Sequence, residues 1–231
     1  MNFDKIESPT LTQLFIDKIE TMILNGELKV NDQLPSEREI ANQMGVSRSV
    51  VNNGLVQLAK KGFLEVTPRQ KTIVADYLNN STMDIMISIM KHGNISHEYI
   101  YSTLTLRKTF MDLTLDTCFK GVTPEIIANL EEVNNKIKNT RIIKNQADLL
   151  FQFDDIILTL SNNVLLPILL RSFKYPNTIL FERYITSNNI SDLTKKNDLF
   201  IQALKDNNIK LAKDIMDESI DNSLKGSNQF Y

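Results

Sequence analysis

Cysteine is almost missing from this chain: Cys118 stands alone among 231 residues. That excludes an intramolecular disulfide and any cysteine-rich zinc site. Histidine is nearly as scarce, with His92 and His97 as the only two. No apolar run approaches the roughly 18 residues of a membrane span, and the Asp-bearing start MNFDKIESPT is not a signal peptide. A cytoplasmic protein with no membrane partner is therefore expected. A dominant charge is lacking too: 26 Lys/Arg stand against 28 Asp/Glu, a net −2, which excludes a basic nucleic-acid coat. What remains, 42% hydrophobic and 23% charged residues, is the make-up of an ordinary globular chain with one large domain or two small ones.

The balanced total hides a segregated pattern. Within residues 40–75 five basic groups face only Glu65, a local excess of +4. Such a patch on a near-neutral protein is the footprint of a specific DNA reader. Apolar residues at Leu11, Leu14, Phe15, Ile19, Met22 and Ile23 have helical spacing, stopped by Asn25-Gly26. Leu34-Pro35 leads into Ser36, and Glu39 three residues later completes a capping box for a short helix through Met44. Gly45 supplies a positive-φ corner. Ser47 caps a second helix with a buried stripe of Val51, Leu55, Leu58 and Ala59, ended by Gly62. Two short β-prone pieces follow, Phe63–Thr67 and Thr72–Ala75.

Helix, helix, tight turn, helix and β-ribbon is the order of a winged helix-turn-helix. The second helix keeps a polar outer face of Arg48, Ser49, Asn52 and Asn53. Arg48 and Asn52 are four apart, so both project from one side near the N-terminal end, which enters the major groove in this motif. Arginine reads guanine and asparagine reads adenine bidentately, while Ser47, Ser49 and the helix amides suit phosphates. From about Asp76 strand signals vanish. Helices are expected over Met83–Lys91, Ser96–Phe119, Pro124–Asn139, Lys144–Ser161, Val164–Phe173, Ser191–Asp206 and Ile209–Leu224. The fold class expected is α-dominated with two domains: a winged helix-turn-helix over 1–75, a linker at 76–81, and an all-α antiparallel bundle over 82–231.

The stretch from Leu34 to Val74 resembles the DNA-binding domain of the GntR family of bacterial transcription regulators. The resemblance rests on Leu34-Pro35-Ser36-Glu37-Arg38-Glu39-Ile40-Ala41, then Gly45-Val46-Ser47-Arg48, then Leu58…Gly62-Phe63-Leu64. It implies that Arg38 approaches the DNA backbone or a base edge and that Arg48 reads a base. Asn52 stands where acyl-CoA-responsive members carry another arginine, so the operator read should differ there. The wing departs from the family habit, with Arg69 and Lys71 in place of two glycines, so Arg69, Lys71 and Thr72 are expected at phosphates or in the minor groove.

The helical remainder looks like the FadR/FCD type of effector domain. Many such domains bind a divalent ion through one Asp and three His. Here the pattern falls on Leu150, Asp154, Asn197 and Ser219, so no metal or other cofactor is expected. An anionic effector, an organic acid or acyl compound, would then need other polar groups. The candidates are Arg107 with Thr103 beside it, Asp154, Arg171, Tyr175, Asn197 and Ser219, with Arg183 and Tyr184 as further possibilities. The resulting expectation is a homodimeric regulator of palindromic double-stranded operator DNA, a repressor tuned by a small molecule, and not an enzyme. The alternatives are a helical bundle whose winged domain contacts protein, or a metal-independent enzyme. Asp154-Asp155 diverge on a helix and make no catalytic dyad.

Overall fold

The computed structural model describes residues 9–66, 71–79, 83–92, 95–118 and 122–225. By packing the chain forms two compact units, Met1–Ile95 and Ser96–Tyr231. The first contains α1 (Leu11–Leu24), α2 (Glu37–Met44), α3 (Arg48–Lys61), β1 (Leu64–Glu65), β2 (Ile73–Val74) and α4 (Met83–His92). The second contains α5 (His97–Asp116), α6 (Pro124–Asn139), α7 (Ile143–Leu158), α8 (Leu165–Ser172), α9 (Lys174–Ser187), α10 (Ile190–Lys205) and α11 (Ile209–Lys225).

In the first unit α1 packs on both α3 and α4, and α2 packs on α3. Phe15, Ile16 and Ile19 of α1 meet Val51, Leu55 and Leu58 of α3 in one core, all at 5% exposure or less. Each such side chain contributes roughly 1.5–3 kcal/mol by leaving water. The capping box at α2 is complete: Ser36 Oγ accepts from the Glu39 amide at 3.3 Å, and Glu39 accepts from the Ser36 amide at 2.8 Å. Gly45 closes α2 at φ 66°, a left-handed corner in which a side chain would be strained. Ser47 then caps α3 by accepting from the Val50 amide.

The ribbon pairs Leu64 with Val74 and Glu65 with Ile73, antiparallel. On the other side of β2, Gln33 bridges Ile73, and the Leu34 amide donates to the Thr72 carbonyl at 2.9 Å. The connection after α1, which reads as merely polar, thus extends the wing sheet. A second difference concerns α4. The sequence puts the domain boundary at 76–81, yet α4 packs on α1 within the first unit.

In the second unit α7 packs on α6 and α9, α10 on α6 and α11, and α11 on α5. Ile100, Met111, Leu130, Ile137, Phe153, Ile157 and Phe200 are buried there. The Phe153 and Phe200 rings meet edge to face at 6.1 Å. Helix α9 is not among the expected elements. Its apolar residues follow no clean stripe, and Tyr175-Pro176 reads as a breaker, but a proline in the first turn gives up an amide that has no helical partner.

Candidate functional site

Two groupings carry the site residues, one in each unit. In the first, the three-residue turn Gly45-Val46-Ser47 directs the N-terminus of α3 outward. Ser47, Arg48, Ser49, Asn52 and Asn53 are all exposed, as is Arg38 on α2. Glu37, at the start of α2, lies between the two base-reading candidates. Its Oε1 accepts from Asn52 Nδ2 at 3.0 Å, and its Oε2 is 4.0 Å from an Arg48 guanidinium nitrogen. The carboxylate thus lies beside both side chains, hydrogen-bonded to Asn52 and at the outer limit of an ion pair with the exposed Arg48. Sequence reasoning placed Glu37 in the motif without giving it this contact with Asn52. The contact spans 15 residues across the turn, so no local periodicity reports it.

The wing adds an exposed Lys71 and a half-buried Thr72. Hydrogen bonds from Ser36 hold the Glu39 carboxyl below its ordinary range, and the charge of Lys71 adds to this. Lys71 thus sits near the start of α2. Arg69, the other wing residue expected at DNA, lies outside the described residues.

In the second unit two adjoining narrow clefts, with free volumes of only about 30 and 20 Å³, share Arg107, Phe181, Leu193 and Ser219 in their walls. Asp154, Asn197, Phe153, Phe200 and Leu150 line the second, while Asn177, Tyr184 and Ser223 line the first. Arg107 and Asp154 form a bidentate pair at 2.5 and 3.0 Å, with Asp154 only 1% exposed. The Phe181 ring packs against the guanidinium at 4.9 Å, so the cation is held by a carboxylate and a π face together.

Of the residues expected to form a pocket, Arg107, Asp154, Asn197, Ser219 and Tyr184 line the clefts. Arg183 does not, nor do Thr103, Arg171 and Tyr175. The Thr103 hydroxyl donates back to the Tyr99 carbonyl at 2.8 Å. Arg171 turns to the surface, where it pairs with Asp155 at 2.9 Å. Tyr175 sits half-buried in the first turn of α9, away from both clefts. Phe181, Tyr184 and Asn177 come from α9, which is why the sequence showed little of this wall. Asn134 on α6 was missed as well: it donates to the Thr194 carbonyl and to Asp198, and accepts from Asn197 at 3.0 Å.

The ion-ligand pattern implied by the resemblance does gather at one place, since Leu150, Asp154, Asn197 and Ser219 share a cleft. The residues do not fit a divalent ion. Leu150 offers no donor atom, both Asp154 oxygens are bound by Arg107, and Asn197 and Ser219 add only neutral oxygens. A guanidinium supplies the positive charge there.

Comparison with known proteins agrees with the first grouping. Residues 12–74 match the model described as bacterial regulatory proteins, gntR family. The similarity to that family covers α1, the helix-turn-helix and the β-ribbon. The chain is 27% identical over 117 residues to the HTH-type transcriptional regulator Mce2R of Mycobacterium tuberculosis, covering 50% of this chain and 49% of that protein. It is 35% identical over 71 residues to the Glc operon transcriptional activator of Escherichia coli K12, covering 31% of this chain and 28% of that one. It is 39% identical over 64 residues to the transcriptional repressor NagR of Bacillus subtilis, covering 28% and 26%. The chain thus spans half or less of the length of these curated relatives, all of them transcriptional regulators rather than enzymes. Among solved structures, Lar, described as controlling the expression of the Listeria monocytogenes agr system, shares the fold at a TM-score of 0.63 and 18% identity, covering 98% of this chain and 100% of that one. Among the described residues no helix is long and apolar enough to cross a membrane.

Proposed function

We propose that this chain is a cytoplasmic, sequence-specific transcription regulator of the gntR family that reads a palindromic operator as a homodimer. The observation that carries the reading is the α3 N-terminus, where Arg48 and Asn52 stand exposed on one side with Glu37 beside them. A second fragment of support is the wing Lys71 near the start of α2. In this reading Arg48 and Asn52 contact base edges, and Ser47, Ser49, Asn53, Arg38, Arg69, Lys71 and Thr72 hold phosphates or the minor groove.

Dimerisation is assigned to the helical unit, which we read as an effector domain of the FadR/FCD type. Val164 just before α8 and Leu165, Ile168 and Leu169 on it are 77, 59, 57 and 43% exposed, an apolar strip that a two-fold partner would cover. The effector is an organic acid or acyl compound that takes the Arg107 guanidinium from Asp154, and the two narrow clefts must widen to admit it. Rearranging that pair is the differential contact that couples ligand to operator affinity. Repression is the proposed sign, because a dimer covering a short operator excludes polymerase by occupancy alone.

Gel shift on DNA upstream of the chain's own gene tests this. Arg48→Ala should lose sequence preference by about 1–3 kcal/mol, roughly 5- to 150-fold. Lys71→Ala should weaken binding to all sequences and lower the salt slope by about one. Equal loss of specific and non-specific binding in Arg48→Ala contradicts the assigned role.

A further inference from the structure

The second scarce residue type supplies the next observation. His92, the last residue of α4, brings its Nε2 to 3.3 Å from Asp17 Oδ1 and 3.6 Å from Glu20 Oε2, both on α1. Asp17 and Glu20 are three apart and share one helical face, so the three donor atoms converge within 4.8 Å of one another. Glu20 is 1% exposed, a rare burial for a carboxylate. The His92 Nε2 atom is itself buried and makes no hydrogen bond. An imidazole nitrogen left so is unfavourable whichever tautomer it holds: unprotonated, its lone pair faces two carboxylates; protonated, it meets no aligned acceptor.

We propose that Asp17, Glu20 and His92 bind one divalent transition-metal ion of the zinc or manganese class. Metal–ligand bonds of roughly 2.0–2.1 Å in a tetrahedral site set neighbouring ligand atoms about 3.4 Å apart. The observed 3.3 and 3.6 Å have that spacing and exceed an ordinary hydrogen bond. One nitrogen and two carboxylates are a donor set that borderline divalent ions accept, with water completing the shell. The two lysines at the site do not preclude the ion. Lys61 Nζ holds Glu20 through its other oxygen, Oε1, at 2.6 Å. Lys91 Nζ lies 2.9 and 3.1 Å from the Asp17 oxygens, but its side chain is 42% exposed and free to swing outward. Gln13 donates to Asp17 Oδ1 at 2.7 Å and orients that carboxylate as an outer partner would. The ion would fasten the end of α4 to α1, inside the unit that carries the α3 reader.

The test is calorimetric titration of Zn²⁺ and Mn²⁺ into the full chain after removal of metal by chelation. One ion per chain is expected, with affinity reduced at least tenfold in His92→Gln and retained in His97→Gln and Cys118→Ser. In parallel, Mn²⁺ added to the wild-type chain should broaden the imidazole NMR signals of His92 before those of His97, a readout that needs no variant at the site to fold. Absence of binding, equal binding by His92→Gln, or equal broadening of both imidazoles overturns the proposal. An imidazole that takes up a proton in this place while metal leaves it unchanged also overturns it, and makes the cluster a proton bridge only.

Discussion

Replacing Gly54 by alanine offers a sharp test of how the reader helix is seated. Gly54 lies in the middle of α3 on the face toward α1. A Cβ added there would fall 2.2 Å from Phe15 Cδ1 and 2.6 Å from Cε1. Ordinary carbon contacts begin about 3.5 Å apart, so the ring must retreat by more than an ångström. It has nowhere to go, because Phe15 is 3% exposed and Ile16 and Ile19 on the same helix are equally enclosed. Overpacking of this kind costs about 1–3 kcal/mol. The helix preference of alanine over glycine offsets about 1 kcal/mol of that. With an approach as close as 2.2 Å the overpacking falls in the upper part of that range, about 2–3 kcal/mol, so the net expectation is a destabilisation of about 1–2 kcal/mol, or a fall of roughly 4–16 °C in the melting temperature of a unit this size. Urea and thermal melts of the full chain measure it. Pairing Gly54→Ala with Phe15→Leu should recover much of the loss, a coupling that a double-mutant cycle resolves. A single Gly54→Ala variant as stable as wild type or more so would refute the close approach of α1 and α3.

Three further outcomes follow from the helical unit. Asp154→Ala leaves the Arg107 guanidinium, 12% exposed, without its carboxylate and should cost about 3–5 kcal/mol in a denaturant melt, whereas Asp154→Leu combined with Arg107→Met should recover most of it. Asp217 on α11 is pushed up to about 6 by burial and by the Asp112 carboxyl, against the pull of Lys108 and Lys213. Because this folded value lies above the unfolded 3.8, the stabilising contribution is full below pH 4 and lost as pH rises through 6. Asp217→Asn should therefore raise stability above pH 6, by about 0.5–1 kcal/mol once solvent screening is allowed for, and flatten the pH profile between 4 and 6. Finally, Ile168→Asp on the exposed α8 strip should shift the chain from dimer to monomer in light scattering without changing its helical content.

The winged unit was legible because its signals are local. Ser36 with Glu39, Gly45 and Ser47 each act within four residues, and the structure puts every one of them at the cap or corner expected. Thr123-Pro124 works the same way for α6, whose bounds agree with the sequence reading. What the sequence concealed depends on contacts between distant segments. The Gln33–Ile73 bridge spans 40 residues and shows no alternation of its own. Glu37 reaches Asn52 only because the turn folds α2 over α3. Helix α9 carries buried residues at Pro176, Asn177, Leu180, Phe181 and Tyr184, and its polar and proline positions mask the helical period. The Arg107–Asp154 pair joins helices 47 residues apart. Arg107 could be guessed as a cation on the helix otherwise lined by Thr103 and Phe110, but its partner could not be chosen among the carboxylates by spacing.

The central claim is that α3 reads sequence, and in-vitro selection from a random pool of duplex DNA measures this directly. The full chain should enrich a short two-fold symmetric motif, bound at least about 1,000-fold more tightly than random duplex at physiological salt. The same selection with Arg48→Ala should blur the motif at one position in each half-site. A wild-type chain that enriches no motif, or an Arg48→Ala chain that enriches an identical one, would contradict the account.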